Sequence, residues 1–332
     1  MGSKGFASCL VLLLVGSSGV LALPRVVGQG DGKSNVQVHY NITSAKLGLA
    51  PTDDDGFVDF ESHGAPGLGN DRKPGFCSDC VCGGTSRKTR IVGGGVSGSR
   101  EFPWVVIIRR ENVYHCAGTL ITRRHVVTAA HCLKNSVEGD FIIVPGETNR
   151  ASDRPGVEHK VKTIYSHERF NPYDFNNDIA VMELETPVQL SSTVQTLCLP
   201  DNQYVDYTGR MATAVGWGRT EEDGILSSQL LKVDVPILSQ EECDRSGYAE
   251  HRVTENMFCA GYLDGGRDAC RGDSGGPLQV LGPNGHYEFA GIISWGRGCA
   301  RPRFPGVYAK MTNYLGWLKD RLQGECVCHP VP

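Results

Sequence analysis

From residue 91 onward, short apolar or alternating runs recur between clusters of Gly, Pro, Asn and Asp. They fall at residues 104–108, 125–128, 141–144, 179–184, 212–215, 289–294 and 306–310. Several short strands separated by turn signals predict an all-β domain, a sandwich or a barrel. Near the end, residues 311–323 bring Tyr314, Leu315, Trp317, Leu318 and Leu322 to roughly helical spacing, which predicts a terminal α-helix. The first quarter of the chain is different. Residues 6–15 are an apolar run too short to span a bilayer, preceded by Lys4 and followed by small residues up to Ala22. This is the pattern of a cleaved signal peptide over residues 1–22. Residues 23 to about 76 are rich in Gly, Asp, Ser and Asn and show no hydrophobic period and no repeat. A mostly disordered segment is expected there.

Composition sharpens this picture. A chain of 332 residues allows one large domain with appendages, and 40% hydrophobic residues are ample for a core. A net charge of −4 gives no reason to expect nucleic acid or an anionic membrane as a partner. Thirteen cysteines do not fall into zinc-ligand spacing with histidines; Cys77, Cys80 and Cys82 come nearest. Cys9 would leave with the signal peptide, and the even number that remains suits a secreted, extracellular, disulfide-bearing protein. In such a protein Asn41-Ile42-Thr43 is a usable glycosylation sequon. Asp53-Asp54-Asp55-Gly56 lacks the remaining ligands of a calcium loop and reads as a solvated acidic run.

The chemistry centres on Gly272-Asp273-Ser274-Gly275-Gly276. Glycines there let consecutive N–H groups aim at one point close to a reactant. The partners a nucleophilic serine needs lie upstream: His131 in Thr128-Ala129-Ala130-His131-Cys132, and Asp178 in Asn177-Asp178-Ile179-Ala180. His, Asp, Ser is one of the chain orders in which this catalytic set occurs. With these motifs, residues 91 to about 322 resemble the chymotrypsin/trypsin family of serine endopeptidases, in the form of a secreted trypsin-like zymogen of the arthropod extracellular type.

The resemblance implies two six-stranded antiparallel β-barrels with the active site between them and a C-terminal helix on the second. It divides the chain into a signal peptide (1–22), a pro-segment with a Cys-rich linker (23–90), a peptidase domain (91–322) and a Cys-containing tail (323–332). Ser274 would be the nucleophile, His131 the base, Asp178 its orienting acid, and the N–H groups of Gly272 and Ser274 the oxyanion hole. Asp268 matches the floor of the specificity pocket, followed by Ala269, with Gly296 and Gly306 as walls. Ser294, Trp295 and Gly296 would pair with the substrate backbone, and Phe175 and Trp295 would line neighbouring subsites suited to apolar residues. Cutting Arg90–Ile91, the junction before Val92-Gly93-Gly94, would create an ammonium that pairs with Asp273. An upstream trypsin-like protease would make that cut, and protein inhibitors are expected partners beside protein or peptide substrates.

The family pattern also implies the bridges Cys116–Cys132, Cys243–Cys259 and Cys270–Cys299, and Cys82–Cys198 as a tether. Cys77, Cys80, Cys326 and Cys328 are left to pair among themselves in an order the sequence leaves open. Two family bridges lack both partners: Ala212 and Val280 hold one pair of positions, Ser97 and Lys232 the other. Pro305 replaces an aromatic residue of sodium-activated relatives, so no sodium dependence is expected. Glu147 and Glu158 fall in the segment matching a calcium loop but without trypsin's spacing, so no cofactor is required, with calcium the one candidate. The alternative from another class is a catalytically silent homologue acting as a binding or cofactor protein.

Overall fold

The computed structural model describes residues 81–85, 94–98, 100–152, 156–322, 324–325 and 327–328. Residues 1–22, Asn41, the Arg90–Ile91 junction and Cys77, Cys80 and Cys326 lie outside the described residues. The strands are β1 (Gly95–Val96), β2 (Val105–Arg110), β3 (Val113–Leu120), β4 (His125–Thr128), β5 (Phe141–Pro145), β6 (His159–Ser166) and β7 (Ala180–Leu184). They continue with β8 (Met211–Gly216), β9 (Leu231–Pro236), β10 (Met257–Ala260), β11 (Pro277–Leu281), β12 (Tyr287–Trp295) and β13 (Gly306–Lys310). Two short helices complete the set, α1 (Gln240–Asp244) and α2 (Leu315–Arg321).

Six strands close on themselves in the order β2-β3-β4-β7-β6-β5, each pair antiparallel. Closure removes the exposed edges that short β-branched strands such as Val105-Val106-Ile107-Ile108 would otherwise present. Both faces of its wall are covered: Ile107, Leu120, Val127, Phe141, Ile143 and Val181 are all essentially inaccessible. The second half of the domain forms a seven-stranded sheet, β1-β9-β8-β11-β12-β13-β10. It curls until its far ends meet. An isolated bridge joins Ile237, just past β9, to Ala260 at the end of β10. Leu238 N–H donates to Cys259 O at 2.9 Å and Gly261 N–H to Pro236 O at 3.0 Å. The second barrel is thus closed by one bridge rather than a ladder, and carries a two-residue seventh strand.

The expected terminal helix is a 3-10 turn, Met311–Tyr314, running into α2. Its contacts match expectation only in part: the turn packs against β12 of the second sheet, whereas α2 lies against the first barrel. His167, just after β6, is ringed by Tyr314 and Trp317 at 5.6 and 5.2 Å. Glu168 accepts Trp317 Nε1–H at 2.9 Å and pairs with Arg321. The aromatic and acidic pair following β6 supplies partners that the spacing of the helix could not reveal.

Among the described residues four disulfides have both partners in view: Cys82–Cys198, Cys116–Cys132, Cys243–Cys259 and Cys270–Cys299. Cys328, disulfide-bonded as well, packs beside the first of these. At the two positions without cysteines the structure substitutes packing. Ala212 and Val280 are direct neighbours across β8 and β11, both buried. Lys232, on β9 opposite Gly95, forms a buried ion pair with Glu101, whose other oxygen takes Gly98 N–H.

Candidate active site

His131 sits in a 3-10 turn, Ala130–Leu133, directly after β4, and the Cys116–Cys132 bridge pins its neighbour to β3. Asp178 precedes β7, the strand paired with β4, so the register brings the two residues together. Its carboxylate is fully buried and accepts three hydrogen bonds: His131 N–H at 2.8 Å, His131 Nδ1–H at 2.7 Å and the Ser294 hydroxyl at 2.5 Å. An acid held against Nδ1 places the proton there and leaves Nε2 as the lone-pair nitrogen. Phe175, in an αL conformation with φ of 63°, sets its ring edge-on to the imidazole at 5.5 Å.

Ser274 lies between β10 and β11, and its carbonyl accepts Ala117 N–H of β3 at 3.0 Å, so the Ser274 loop is anchored to the opposite barrel. Within that loop the N–H groups of Asp273, Gly275 and Gly276 are each spent on backbone carbonyls. Those of Gly272 and Ser274 have no acceptor among the described residues. Two alternate donors left free beside a serine can stabilise a developing oxyanion. Gly272 has φ of +99°, which a side chain would strain, and its carbonyl accepts the Tyr114 hydroxyl at 2.6 Å. Tyr114 is fixed in turn by Trp217, edge-on at 6.0 Å, and by the Arg150 guanidinium 5.6 Å from its ring. Nothing in the sequence pattern flagged Tyr114, because its partner is a backbone carbonyl 158 residues away.

A cavity of about 240 Å³ is lined by His131, Phe175, Asp268, Ala269, Ser274, Ser294, Trp295, Gly296 and Gly306. Asp268 is at its floor. One oxygen accepts Ala300 N–H at 3.2 Å; the other, Oδ1, is buried with no hydrogen-bond partner among the described residues. Burial is the main cause that pushes this carboxyl up to about 7. The Tyr308 hydroxyl, also buried and without a partner, lines the same floor. A Cβ on Gly306 would stand 2.7 Å from Asp268 Oδ1, so any side chain there would plug the shaft. A half-satisfied carboxyl of this kind gains from a cation brought beside it.

Asp273 is directed away from this cleft. It is half-buried, accepts Gly218 N–H at 2.7 Å and Cys270 N–H at 2.9 Å, and is pushed up to about 6 by burial. A Cβ on Gly216 or Gly218 would collide with its carboxylate. Asp273 and Gly94 line one cavity of about 460 Å³ behind the specificity pocket. Of the two calcium candidates, Glu158 is ion-paired with Arg109 at 2.8 Å and Glu147 accepts Asn149 N–H at 2.9 Å. Among the described residues the only cluster with metal-ligating atoms close together is Cys116, His131 and Cys132, and there both thiols are in a disulfide.

A closed antiparallel barrel and a second curled sheet, with Ser274 and His131 lining one cavity and Asp178 bonded to His131, fit the serine-protease class. Residues 91–318 match the family model for trypsin, and the chain belongs to the trypsin family. It is 40% identical over 243 residues to the serine protease filzig of Drosophila melanogaster, covering 70% of this chain but only 14% of that one. It is 36% identical over 258 residues to the proclotting enzyme of Tachypleus tridentatus, covering 73% of this chain and 69% of the relative. It is 38% identical over 241 residues to trypsin eta of Drosophila erecta, covering 70% and 90% respectively. Among the described residues no helix is long and apolar enough to cross a membrane.

Proposed function

We propose that this chain is a secreted serine endopeptidase that cleaves after Arg, and less well after Lys, and is made as a zymogen. The observation that carries the reading is the single cavity holding Ser274, His131 and the unpartnered oxygen of Asp268. A substrate arginine entering that cavity meets Asp268 with its guanidinium, and its carbonyl carbon then lies beside Ser274. His131 Nε2 takes the serine proton and returns it to the leaving amine. The Gly272 and Ser274 N–H groups hold the oxyanion, each worth about 3–4 kcal/mol to the transition state. Asp178 holds the imidazole in the required tautomer throughout.

Activation by a cut at Arg90–Ile91 is supported by Gly94, three residues beyond Ile91, which borders the cavity of Asp273. A new ammonium on Ile91 would neutralise that buried carboxylate and fix the nucleophile loop. Secretion is supported by the amino-terminal apolar run and the disulfides. Relatives named serine protease, proclotting enzyme and trypsin support a proteolytic role on protein substrates. The test is labelling by a fluorophosphonate before and after limited trypsin treatment. Labelling at Ser274 should follow the cut, and Arg90→Gln should prevent it. A cut protein that takes no label would instead be a binding protein of the same fold.

A further inference from the structure

Phe175 and Trp295 taken alone would favour apolar residues next to the specificity pocket; the structure adds two arginines to that wall. Arg252 lies with its guanidinium 4.0 Å from the centre of the Trp295 ring. Its Nη1 donates to the carbonyl of Asp174, the residue before Phe175. Arg252 therefore reaches from one side of the subsite to the other, tying the Phe175 loop to Trp295. Tyr248 stacks edge-on between Trp295 at 4.9 Å and Phe304 at 5.4 Å, and Arg297 stands over Phe304 at 4.8 Å. The result is a row of three aromatic rings with a guanidinium on each terminal ring. Arg297 follows Gly296 directly, on the edge where substrate backbone would pair, and its N–H donates to the Tyr248 hydroxyl at 3.3 Å.

Neither arginine has a carboxylate partner among the described residues. The acids nearest in sequence are engaged elsewhere. Asp174 accepts Asn176 N–H at 2.8 Å, and Glu250 lies against His251 at 3.3 Å. Stacking on a ring orients a guanidinium without neutralising it, and one bond to a carbonyl leaves most of its five N–H donors unspent. Two positive, pre-oriented forks at the end of a substrate groove are suited to a carboxylate.

We propose that Arg252 and Arg297, with Trp295 and Phe175, form a subsite for an acidic side chain, an Asp or Glu three or four residues before the cleaved bond. The placement follows from distance along the groove. Phe175 touches His131 and so neighbours the second residue, whereas Arg252 and Arg297 do not line the Ser274 cavity and stand beyond it on the rings of Trp295 and Phe304. The proposal rests on the endopeptidase reading and deepens it, since it names acidic-then-Arg sequences as the preferred substrates.

The experiment compares peptides that end in the same Arg reporter and differ only in Glu, Gln or Leu at the third and fourth positions. With the full chain cut at Arg90, kcat/KM should favour Glu over Gln by roughly three- to tenfold at low salt. The ratio should shrink at high salt, because exposed charge pairs are screened. In the double variant Arg252→Gln, Arg297→Gln it should fall to about one. The readout is a ratio within one preparation, so a loss of folded protein common to all peptides cancels. Equal rates for Glu and Gln at low salt, faster cleavage of Leu than of Glu, or an unchanged ratio in the double variant would overturn the proposal. Binding of the same peptides to Ser274→Ala, read by fluorescence anisotropy, gives the ratio without turnover. A chain that cleaves no Arg peptide would count against the endopeptidase reading, while the binding ratio would still decide for or against the acidic subsite.

Discussion

Asp268 offers the sharpest test of how the pocket works. Burial lifts its carboxyl from an ordinary 3.8 to about 7 in the free protein. Ionising it there costs about 4 kcal/mol more than in water, at 1.36 kcal/mol per pH unit. A cationic guest offsets this cost, so binding below pH 7 must release a proton. The affinity of a small amidinium should therefore weaken by about tenfold per unit as pH falls below about 7, and level off above it. Stability carries the opposite signature. The native pKa lies above the unfolded one, so between about pH 4 and 7 the native state binds more protons and stability falls as pH rises through that window. Calorimetric titration of an amidinium from about pH 5 to 9 and thermal melts over the same range, each against Asp268→Asn, isolate this one group. An affinity that does not change with pH, or a pH dependence that survives in Asp268→Asn, would refute the reasoning.

Further consequences concern selectivity, the oxyanion loop and the core. Ala269, which lines the pocket, has no hydroxyl to help solvate an ammonium, so paired Arg and Lys peptides should differ about tenfold or more in kcat/KM. Ala269→Ser should recover part of the Lys rate, and no gain there would count against the explanation. Tyr114→Phe removes the bond to the Gly272 carbonyl and should lower kcat about three- to tenfold with little change in KM. A change in KM alone would mean that Tyr114 does not position the oxyanion loop. Lys232→Met strands Glu101 as a buried charge and should cost about 3–5 kcal/mol in denaturant unfolding, most of it recovered by adding Glu101→Leu. A single variant as stable as the parent would show that Glu101 finds water or another partner.

Much of this molecule was legible in its sequence. The runs at 125–128 and 306–310 coincide with β4 and β13, because strands buried on both faces read as continuous apolar stretches. Strands such as β6, His-Lys-Val-Lys-Thr-Ile-Tyr-Ser, did not stand out, since half of their side chains face water. The residues singled out for chemistry each sit in a local motif whose spacing resembles one family's, and the fold gathers His131, Ser274, Asp268, Gly296 and Gly306 around one cavity. What the chain alone could not show is everything that depends on two distant segments meeting. The Ser294 hydroxyl on Asp178 spans 116 residues. The Tyr114 bond to Gly272, the stacking of Arg252 on Trp295 and the burial of Lys232 against Glu101 are likewise long-range contacts. Their residue types are ordinary on a surface and carry no period. Only the tertiary fold brings these segments together, and where it also removes water, as around Lys232 and Glu101, an ordinary surface residue becomes a determinant of stability.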